Sequence, residues 1–204
     1  MKRPTAQQVL SAYVQGIFPM AHPEHDDEIY WYAPDPRAIL PLDEFHIPRR
    51  LEQTVRRGPF EICIDRDFPQ VIAECAAPRS TQAQTWISSG LADVYRELHE
   101  MGFVHSVEAW DGDELVGGLY GVAVNGLFAG ESMFHRARDA SKICLVHLVR
   151  RLNERGFMLL DIQFMTDHLA QFGAREIPRA DYERRLVQAL QLPRRFTDDS
   201  PVLN

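Results

Sequence analysis

The feature that most constrains this chain is a run of three apolar segments separated by two short turns. The segments read "VHSVEAW", "ELVGGLYGVAV" and "LFAGESMF", and the turns between them read "DGD" and "NG". Asn-Gly between apolar segments is a strong hairpin signal, because its tight turn requires positive φ angles. The three segments therefore predict an antiparallel meander, and the glycines within them predict a bend or a bulge.

Patterns on both sides of the meander predict an α+β fold. Residues 88–102 have a serine cap, apolar positions at helical spacing and a closing glycine, and residues 139–156 predict a longer helix of the same kind. After it, "FMLLDIQF" predicts a strand covered on both faces, "TDHLAQFG" a short helix, "AREIPR" an extended link and "ADYERRLVQAL" a last helix. A bulged strand followed by a helix resembles the sheet of the N-acetyltransferase superfamily, although no glycine signature of a pyrophosphate loop is present.

The part of the chain before residue 80 is less regular. Residues 5–15 predict a helix that stops at "GIFP", and the polar "MAHPEHDDE" predicts turns. Three prolines in "IYWYAPDPRAILPL" argue against a long regular element there. Residues 48–57 predict a helix, "PFEICID" a strand and "DFPQVIAECA" a short helix. At the other end of the chain, the last dozen residues predict a loose tail.

The composition is that of an ordinary globular protein. The 204 residues are 45% hydrophobic and 25% charged, which suits one large domain or two small ones that share a core. No apolar run approaches the roughly 18 residues that a membrane span needs, and we expect a soluble, cytoplasmic protein. The formal charge of −7 excludes a generally basic surface but not a local basic patch. Three widely spaced cysteines predict reduced thiols rather than a disulfide or a zinc site.

Two polar residues interrupt the apolar strand "LLDIQF". Asp161 and Gln163 are two positions apart, so their side chains leave the same face of the strand. A carboxylate and an amide in an apolar strand are costly to bury unless they have hydrogen-bond partners. They are either a polar pair that anchors a loop or a site that positions and polarises a nucleophile.

A third polar residue, Glu131, stands in the apolar run of "LFAGESMF". It is either a strand-end residue that points into water or a second acid of the same site. Two acids that converge on a pocket would suit a cationic substrate group, because a desolvated guanidinium or ammonium needs such partners.

Other candidate motifs have simpler explanations. The histidines and aspartates of "HPEHDD", His22, His25, Asp26 and Asp27, could suggest a metal site, but no downstream spacing completes one, and a loop is favoured. The arginine pairs at the two ends of the 48–57 helix are typical of a solvated face, with phosphate contacts as the alternative. No Ser-His-Asp order, Walker loop or nucleophile elbow is recognisable.

Several motifs together resemble those of the bacterial leucyl/phenylalanyl-tRNA–protein transferases. They include "GIFPM", "WYAPDPRAILP", "TWI", "LFAGESMFHRARDASK", "LLDIQF" and "FGAREIPR", in the family's order and at matching separations over about residues 8–186. The resemblance implies transfer of leucine or phenylalanine from aminoacyl-tRNA to the N-terminal amine of proteins that begin with arginine or lysine. The product carries a degradation signal of the N-end rule pathway. The resemblance also implies that the reaction uses neither a metal nor a nucleotide cofactor.

The resemblance implies a small N-terminal α/β domain packed against an N-acetyltransferase-like domain with a mixed sheet flanked by helices. We place the two domains at residues 1–79 and 80–204. The N-terminal domain is expected to be trimmed, since the family's leading "GGDLS"-like segment is absent. We expect a monomer.

The resemblance also implies roles for particular residues. Asp161, Gln163 and Glu131 match the family's catalytic positions, with Gln163 in direct contact with the amine and Asp161 as its electrostatic support. The aminoacyl side chain should enter a pocket formed by Trp31, Tyr32, Trp86, Tyr95, Leu119, Phe128, Met133 and Leu148. The tRNA acceptor end should contact Arg49, Arg50, Arg56 and Arg57.

The chain departs from the family pattern at a few of these positions. Leu119 and Leu148 replace a larger methionine and an aromatic residue, and "DIQ" replaces "DCQ". Two alternatives stay open at this point. One is an aminoacyl transferase with another donor or acceptor, such as acidic N-termini or a peptidoglycan bridge, and the other is a catalytically silent homologue that binds RNA or a degradation signal.

Overall fold

The computed structural model describes residues 3–22, 25–78 and 85–203, with backbone only for residues 25–27. The helices are α1 (Ala6–Val14), α2 (Arg49–Arg57), α3 (Phe68–Ala76), α4 (Ser89–Glu100), α5 (Ala140–Glu154), α6 (Asp167–Ala170) and α7 (Arg179–Leu190). The strands are β1 (Phe18–His22), β2 (His25–Tyr32), β3 (Arg37–Ile39), β4 (Glu61–Ile64), β5 (Val104–Asp111), β6 (Glu114–Val124), β7 (Leu127–His135), β8 (Leu159–Gln163) and β9 (Arg175–Ile177).

Seven strands form one mixed sheet in the order β4-β5-β6-β7-β8-β3-β9, and β1 and β2 form a separate hairpin. The predicted meander is confirmed, because β5, β6 and β7 pair antiparallel in sequence order. Asn125 has φ 51° in the turn between β6 and β7, and a positive φ at the first central residue is typical of two-residue hairpin turns. β8 is parallel to β7, so the α+β prediction of a mixed sheet is confirmed.

Helices cover both faces of the sheet. On one face α1, α3 and α4 enclose a core that contains the buried residues Val9, Phe68, Leu91 and Tyr120. On the other face α5 packs against β5 and β6, and Leu51 of α2 joins that second core. α7 packs beside β7 and β8. None of the helices in the described part of the chain is both long and apolar enough to cross a bilayer.

Two local predictions were wrong, and one was incomplete. The segment "MAHPEHDDE", predicted to hold turns, contributes to both strands of the β1–β2 hairpin, in which Phe18 pairs with Tyr32. The "extended link" is extended as predicted, but its pairing with β3 as strand β9 was not foreseen. The tail is not loose, since Phe196 is fully buried. In each case tertiary contacts supply partners that local propensity does not reveal.

The sheet crosses the proposed domain boundary at residues 79 and 80. β3 and β4 come from the earlier part of the chain, and both are strands of the seven-stranded sheet. The division into 1–79 and 80–204 stays a prediction. Cys63, Cys75 and Cys144 are free thiols.

Candidate active site

A cavity of about 410 Å³ lies where β7 and β8 stop pairing. The two strands are in register only from Leu127 with Leu159 to Ala129 with Asp161. Beyond that point Gly130 and Gln163 line the cavity. Its walls are mainly apolar and come from the sheet, β1 and α5, with a few polar groups among them. This combination is typical of a pocket for an organic ligand.

Glu131 is the extra residue of a β-bulge at the edge of this cavity. Tyr120 pairs with Ser132 and Gly121 pairs with Gly130, which leaves Glu131 without a partner on β6. A bulge re-aims one side chain out of the regular alternation of a strand. The predicted bulge is therefore confirmed, and it explains how a carboxylate stands within an apolar strand without disturbing the core.

Two groups donate hydrogen bonds to the Glu131 carboxylate, and a third donates to one of them. The Gln163 amide donates through Nε2 to Oε1 at 2.7 Å, and the Tyr95 hydroxyl donates to Oε2 at 2.9 Å. The hydroxyl of Tyr13 lies 2.9 Å from that of Tyr95. Because the Tyr95 proton is used on Glu131, Tyr13 is the donor in this second bond. The buried phenols thus form a chain that ends at the carboxylate.

Burial raises the pKa of Glu131 from 4.5 to about 7. The linked hydroxyls of Tyr13 and Tyr95 oppose this shift, and the charge of Asp161 adds to it. Burial, followed by the Glu131 charge, raises the pKa of the Tyr95 hydroxyl well above its ordinary value, so this phenol stays a donor. Glu131 therefore changes its charge near neutral pH.

Gln163 has an unusual backbone conformation at the end of β8. Its φ is 65°, in the left-handed region that costs a non-glycine residue about 1–2 kcal/mol. Its N–H donates to Asp161 Oδ1 at 2.9 Å, and a hydrogen bond to a charged acceptor contributes about 1.5–3 kcal/mol. The carboxylate of Asp161 thus offsets the strain and holds Gln163 in place.

Asp161 is itself paired with a buried arginine. Arg37 donates through Nε to Oδ1 at 2.9 Å and through Nη2 to Oδ2 at 2.6 Å. The Tyr182 hydroxyl donates to Oδ2 at 2.8 Å. Arg37 and Asp161 are each 1% exposed. Burial lowers the pKa of Arg37, but the hydrogen bonds and charge of Asp161 outweigh it and leave the pKa raised.

The structure brings Asp161, Gln163 and Glu131 together, as the sequence predicted. It also places half of the predicted aminoacyl-pocket residues on the cavity wall, namely Trp86, Leu119, Met133 and Leu148. Leu119 and Met133 are paired across β6 and β7, and Leu148 is on α5.

The other four predicted pocket residues do not line this cavity. Tyr95 is fully buried and contacts Glu131. Phe128 is fully buried and packs 5.2 Å from the Phe196 ring. Tyr32 stacks on the cavity residue Phe18 at 5.9 Å. Trp31 is 44% exposed and lines a separate groove beside α1.

The four predicted tRNA-binding arginines lie on α2 with exposed side chains. Arg56 makes an ion pair with Glu52 at 2.7 Å. The side chains of His25, Asp26 and Asp27 from the loop prediction lie outside the described part. Among the described residues no group of three or more His, Cys, Asp and Glu could hold a metal ion.

Several site residues escaped the sequence prediction. Arg37 stands in the quoted motif "WYAPDPRAILP", but its charge was not weighed as a partner for Asp161. Tyr13 and Tyr182 belong to helices that showed only amphipathic patterns. His168 lines the cavity, and burial, followed by the charge of Lys142, lowers its pKa. Helical spacing did not indicate that these residues meet at one site.

Comparison with known proteins gives a consistent result. The sequence model of the family described as leucyl/phenylalanyl-tRNA protein transferase matches residues 39–187, and that of the family's N-terminal domain matches residues 3–35. Leucyl/phenylalanyl-tRNA--protein transferase from Phenylobacterium zucineum is 56% identical over 191 residues, which cover 94% of this chain and 86% of that protein. The protein of the same name from Herpetosiphon aurantiacus is 54% identical, with 96% of this chain and 99% of that protein covered.

Similarity to solved structures is weaker. The structure of L-PGS from Bacillus licheniformis aligns with a TM-score of 0.41 at 14% identity, covering 80% of this chain and 55% of that one. A likeness at this level supports no conclusion about the fold or the reaction. The sequence matches decide the family, and the chain belongs to the leucyl/phenylalanyl-tRNA protein transferases and is an aminoacyltransferase.

Proposed function

We propose that this protein transfers leucine or phenylalanine from aminoacyl-tRNA to the N-terminal amine of proteins that begin with arginine or lysine, which creates an N-end rule degradation signal. The observation that carries the proposal is the Gln163–Glu131 pair at 2.7 Å on the wall of the apolar cavity. An aminoacyl ester is already activated. The enzyme therefore has to align an amine with its carbonyl and shield the side chain.

Gln163 is suited to contact the attacking amine. A carboxylate only accepts hydrogen bonds, so the contact with Glu131 orients the amide with Nε2 toward Glu131. The amide oxygen Oε1 is then the acceptor for an N–H of the amine. The amine nitrogen bonds to the ester carbon, the bond from that carbon to the ribose oxygen breaks, and the proton from nitrogen passes to the ribose oxygen.

Asp161 acts by holding Gln163 rather than as a base. Its carboxylate accepts four hydrogen bonds, two from Arg37, one from Tyr182 and one from the Gln163 N–H. A carboxylate has about four acceptor positions, so no position is left for a substrate amine. Of the two acids, Glu131 is the one on the cavity wall, where its charge would meet a cationic acceptor.

The remaining assignments follow from the same site. Trp86, Leu119, Met133 and Leu148 form the apolar pocket for the aminoacyl side chain, in which each methylene contributes about 1–3 kcal/mol to discrimination. The exposed α2 arginines contact the acceptor end of tRNA through phosphates. We also propose a monomer that acts in the cytoplasm, where charged tRNA is found. We also propose an N-acetyltransferase-like sheet, supported by the parallel β7–β8 pair that opens around the site.

One assay tests the function. The protein is incubated with leucyl-tRNA or phenylalanyl-tRNA and with peptides that begin with arginine, lysine, aspartate or alanine, and peptide extension is measured by mass. We expect extension of the arginine and lysine peptides, and none of an N-acetylated arginine peptide, which lacks the nucleophile. Extension of the aspartate peptide alone would favour a transferase for acidic N-termini. No extension of any peptide would favour a silent binding homologue.

A further inference from the structure

We propose that Arg37 is a positioning residue for the acyl transfer, which acts through Asp161 on the backbone of Gln163. The inference deepens the proposed function, because it concerns the same site and the same reaction. Arg37 does not contact the substrate, since it is not among the residues that line the cavity. Its effect must pass through the carboxylate that it binds.

The guanidinium of Arg37 is held from every side. Besides its two bonds to Asp161, it donates through Nη1 to the carbonyl oxygen of Gly16 at 3.1 Å. The rings of Phe18 and Tyr182 lie 4.6 and 4.5 Å from its central carbon. A planar guanidinium between two rings and a carboxylate has little freedom to move. It therefore sets the orientation of the Asp161 side chain.

Asp161 passes this orientation on to Gln163. The same oxygen, Oδ1, accepts from Arg37 Nε and from the Gln163 N–H, each at 2.9 Å. Strand β3 also pairs directly with β8, with Ala38 opposite Gln163 and Ile39 opposite Asp161. The residue that follows Arg37 is thus in register with the residue that contacts Glu131. The geometry of the amide depends on β3 through both side chain and backbone.

Stability alone is a weak reason to bury this pair. A buried ion pair can often be replaced by apolar residues of similar volume without loss of stability. The charge has a specific use here, because a buried carboxylate without a cation takes up a proton. Among the residues that the structure describes, the titratable groups that face Asp161 are Arg37 on β3, Tyr182 on α7 and Glu131 on β7, and Arg37 is the cation of this set. A protonated Asp161 would hold the Gln163 N–H less firmly.

The test compares Arg37→Met with the double variant Arg37→Met/Asp161→Asn. The control is Arg151→Met, since Arg151 also lies over a ring, that of Phe196 at 5.0 Å, and also donates to a backbone carbonyl. The kcat, and the KM for both substrates, are measured from pH 6 to pH 9, with melting curves for each variant. The backbone N–H signal of Gln163 is followed by NMR.

For Arg37→Met we expect kcat at pH 7 to fall about tenfold or more, with KM changed less than about threefold. The loss should shrink as pH rises and Asp161 regains its charge. The double variant should be about as active at pH 7 as the single one but should lack this pH dependence, because asparagine accepts from the Gln163 N–H as a neutral group at every pH. Arg151→Met should keep the wild-type profile.

Three results would overturn the proposal. They are an unchanged kcat in folded Arg37→Met, a loss in that variant that is equal at every pH, and a folded double variant whose loss still shrinks as pH rises. If Arg37→Met does not fold, the folded double variant is compared with wild type. A reduced kcat supports the proposal, and a wild-type kcat overturns it. If wild type is inactive with leucyl-tRNA, the proposed function fails, and the Gln163 amide signal still tests the inference. The backbone N–H of Gln163, which donates to Asp161, should shift with pH more in Arg37→Met than in wild type.

Discussion

Two polar networks in this protein each join an aspartate, a basic side chain and a hydroxyl group. They differ in what surrounds them. The first joins Arg37, Asp161 and Tyr182, and it touches the cavity through Gln163. The second joins Asp65, His105 and Ser200. There His105 Nδ1 lies 2.6 Å from Asp65 Oδ2, and Nε2 lies 2.9 Å from Ser200 Oγ.

The second network has the residue types of a hydrolase triad, but a substrate could not reach its serine. His105 and Ser200 are each 3% exposed, and Ser200 Oγ also accepts from the Thr197 N–H at 2.9 Å. The ring of Phe196 stacks on His105 at 4.7 Å. No sequence motif indicates this arrangement, because Asp65, His105 and Ser200 are far apart in the chain and meet only in the fold. These contacts attach the C-terminal segment to the sheet through His105.

Access to a cavity, rather than residue type, distinguishes the first network from the second. In the first network a polar side chain, Gln163, extends from the buried ion pair to a space that a ligand can fill. In the second, protein groups occupy the positions around the hydroxyl. Substitutions in the first should therefore change turnover, and substitutions in the second should change stability.

The largest effect is expected for Gln163→Ala. Loss of the amide would remove the proposed contact to the attacking amine, and kcat should fall about 10²–10³-fold with little change in the unfolding free energy. Transfer kinetics and melting curves measure the two quantities. The matched control is Gln188→Ala, since Gln188 is exposed on α7. A Gln163 variant with wild-type kcat would remove this residue from the mechanism.

The opposite pattern is expected for His105→Ala. It removes the hydrogen bonds of His105 to Asp65 and Ser200, while Asp65 keeps that from the Ser106 N–H. The unfolding free energy should fall by about 2–3 kcal/mol, while kcat stays within about twofold of wild type. Denaturant unfolding and transfer kinetics are compared with His46→Ala, an exposed histidine whose loss should change neither. A fall in kcat with unchanged stability would show that the second network serves the reaction.

The smallest effect is expected from the titration of Glu131. Its pKa is raised from 4.5 to about 7 in the folded state, so between these pH values the folded protein binds more protons than the unfolded chain. The unfolding free energy should therefore decrease as pH rises through this window, by about 2 kcal/mol for a partly exposed group.

Glu131→Gln tests this sign, because glutamine does not titrate. The stability of wild type relative to Glu131→Gln, measured by denaturant unfolding at pH 4.5 and 7.5, should be lower at the higher pH. If the difference were the same at both pH values, or had the opposite sign, the burial of this carboxylate would not be what raises its pKa.

Much of the fold was predictable because its signals are local. The turn at Asn125, the caps of the helices and the alternation of the meander depend on residues close in sequence. The predictions were wrong or incomplete for the β1–β2 hairpin, β9 and the C-terminal segment, whose partners are distant in the chain. Local patterns do not specify such pairings, since the stabilising contacts form only in the folded protein.

For the site, the sequence by itself determined the chemical groups. Glu131, Asp161 and Gln163 are polar residues within apolar strands, and the cost of burying them indicated that partners exist. Which partners they have depends on the tertiary structure. Arg37, 124 positions away, pairs with Asp161, and a bulge turns Glu131 toward Gln163. The reason is physical: composition and spacing reveal which groups need hydrogen bonds, but long-range strand pairing determines which of those groups meet.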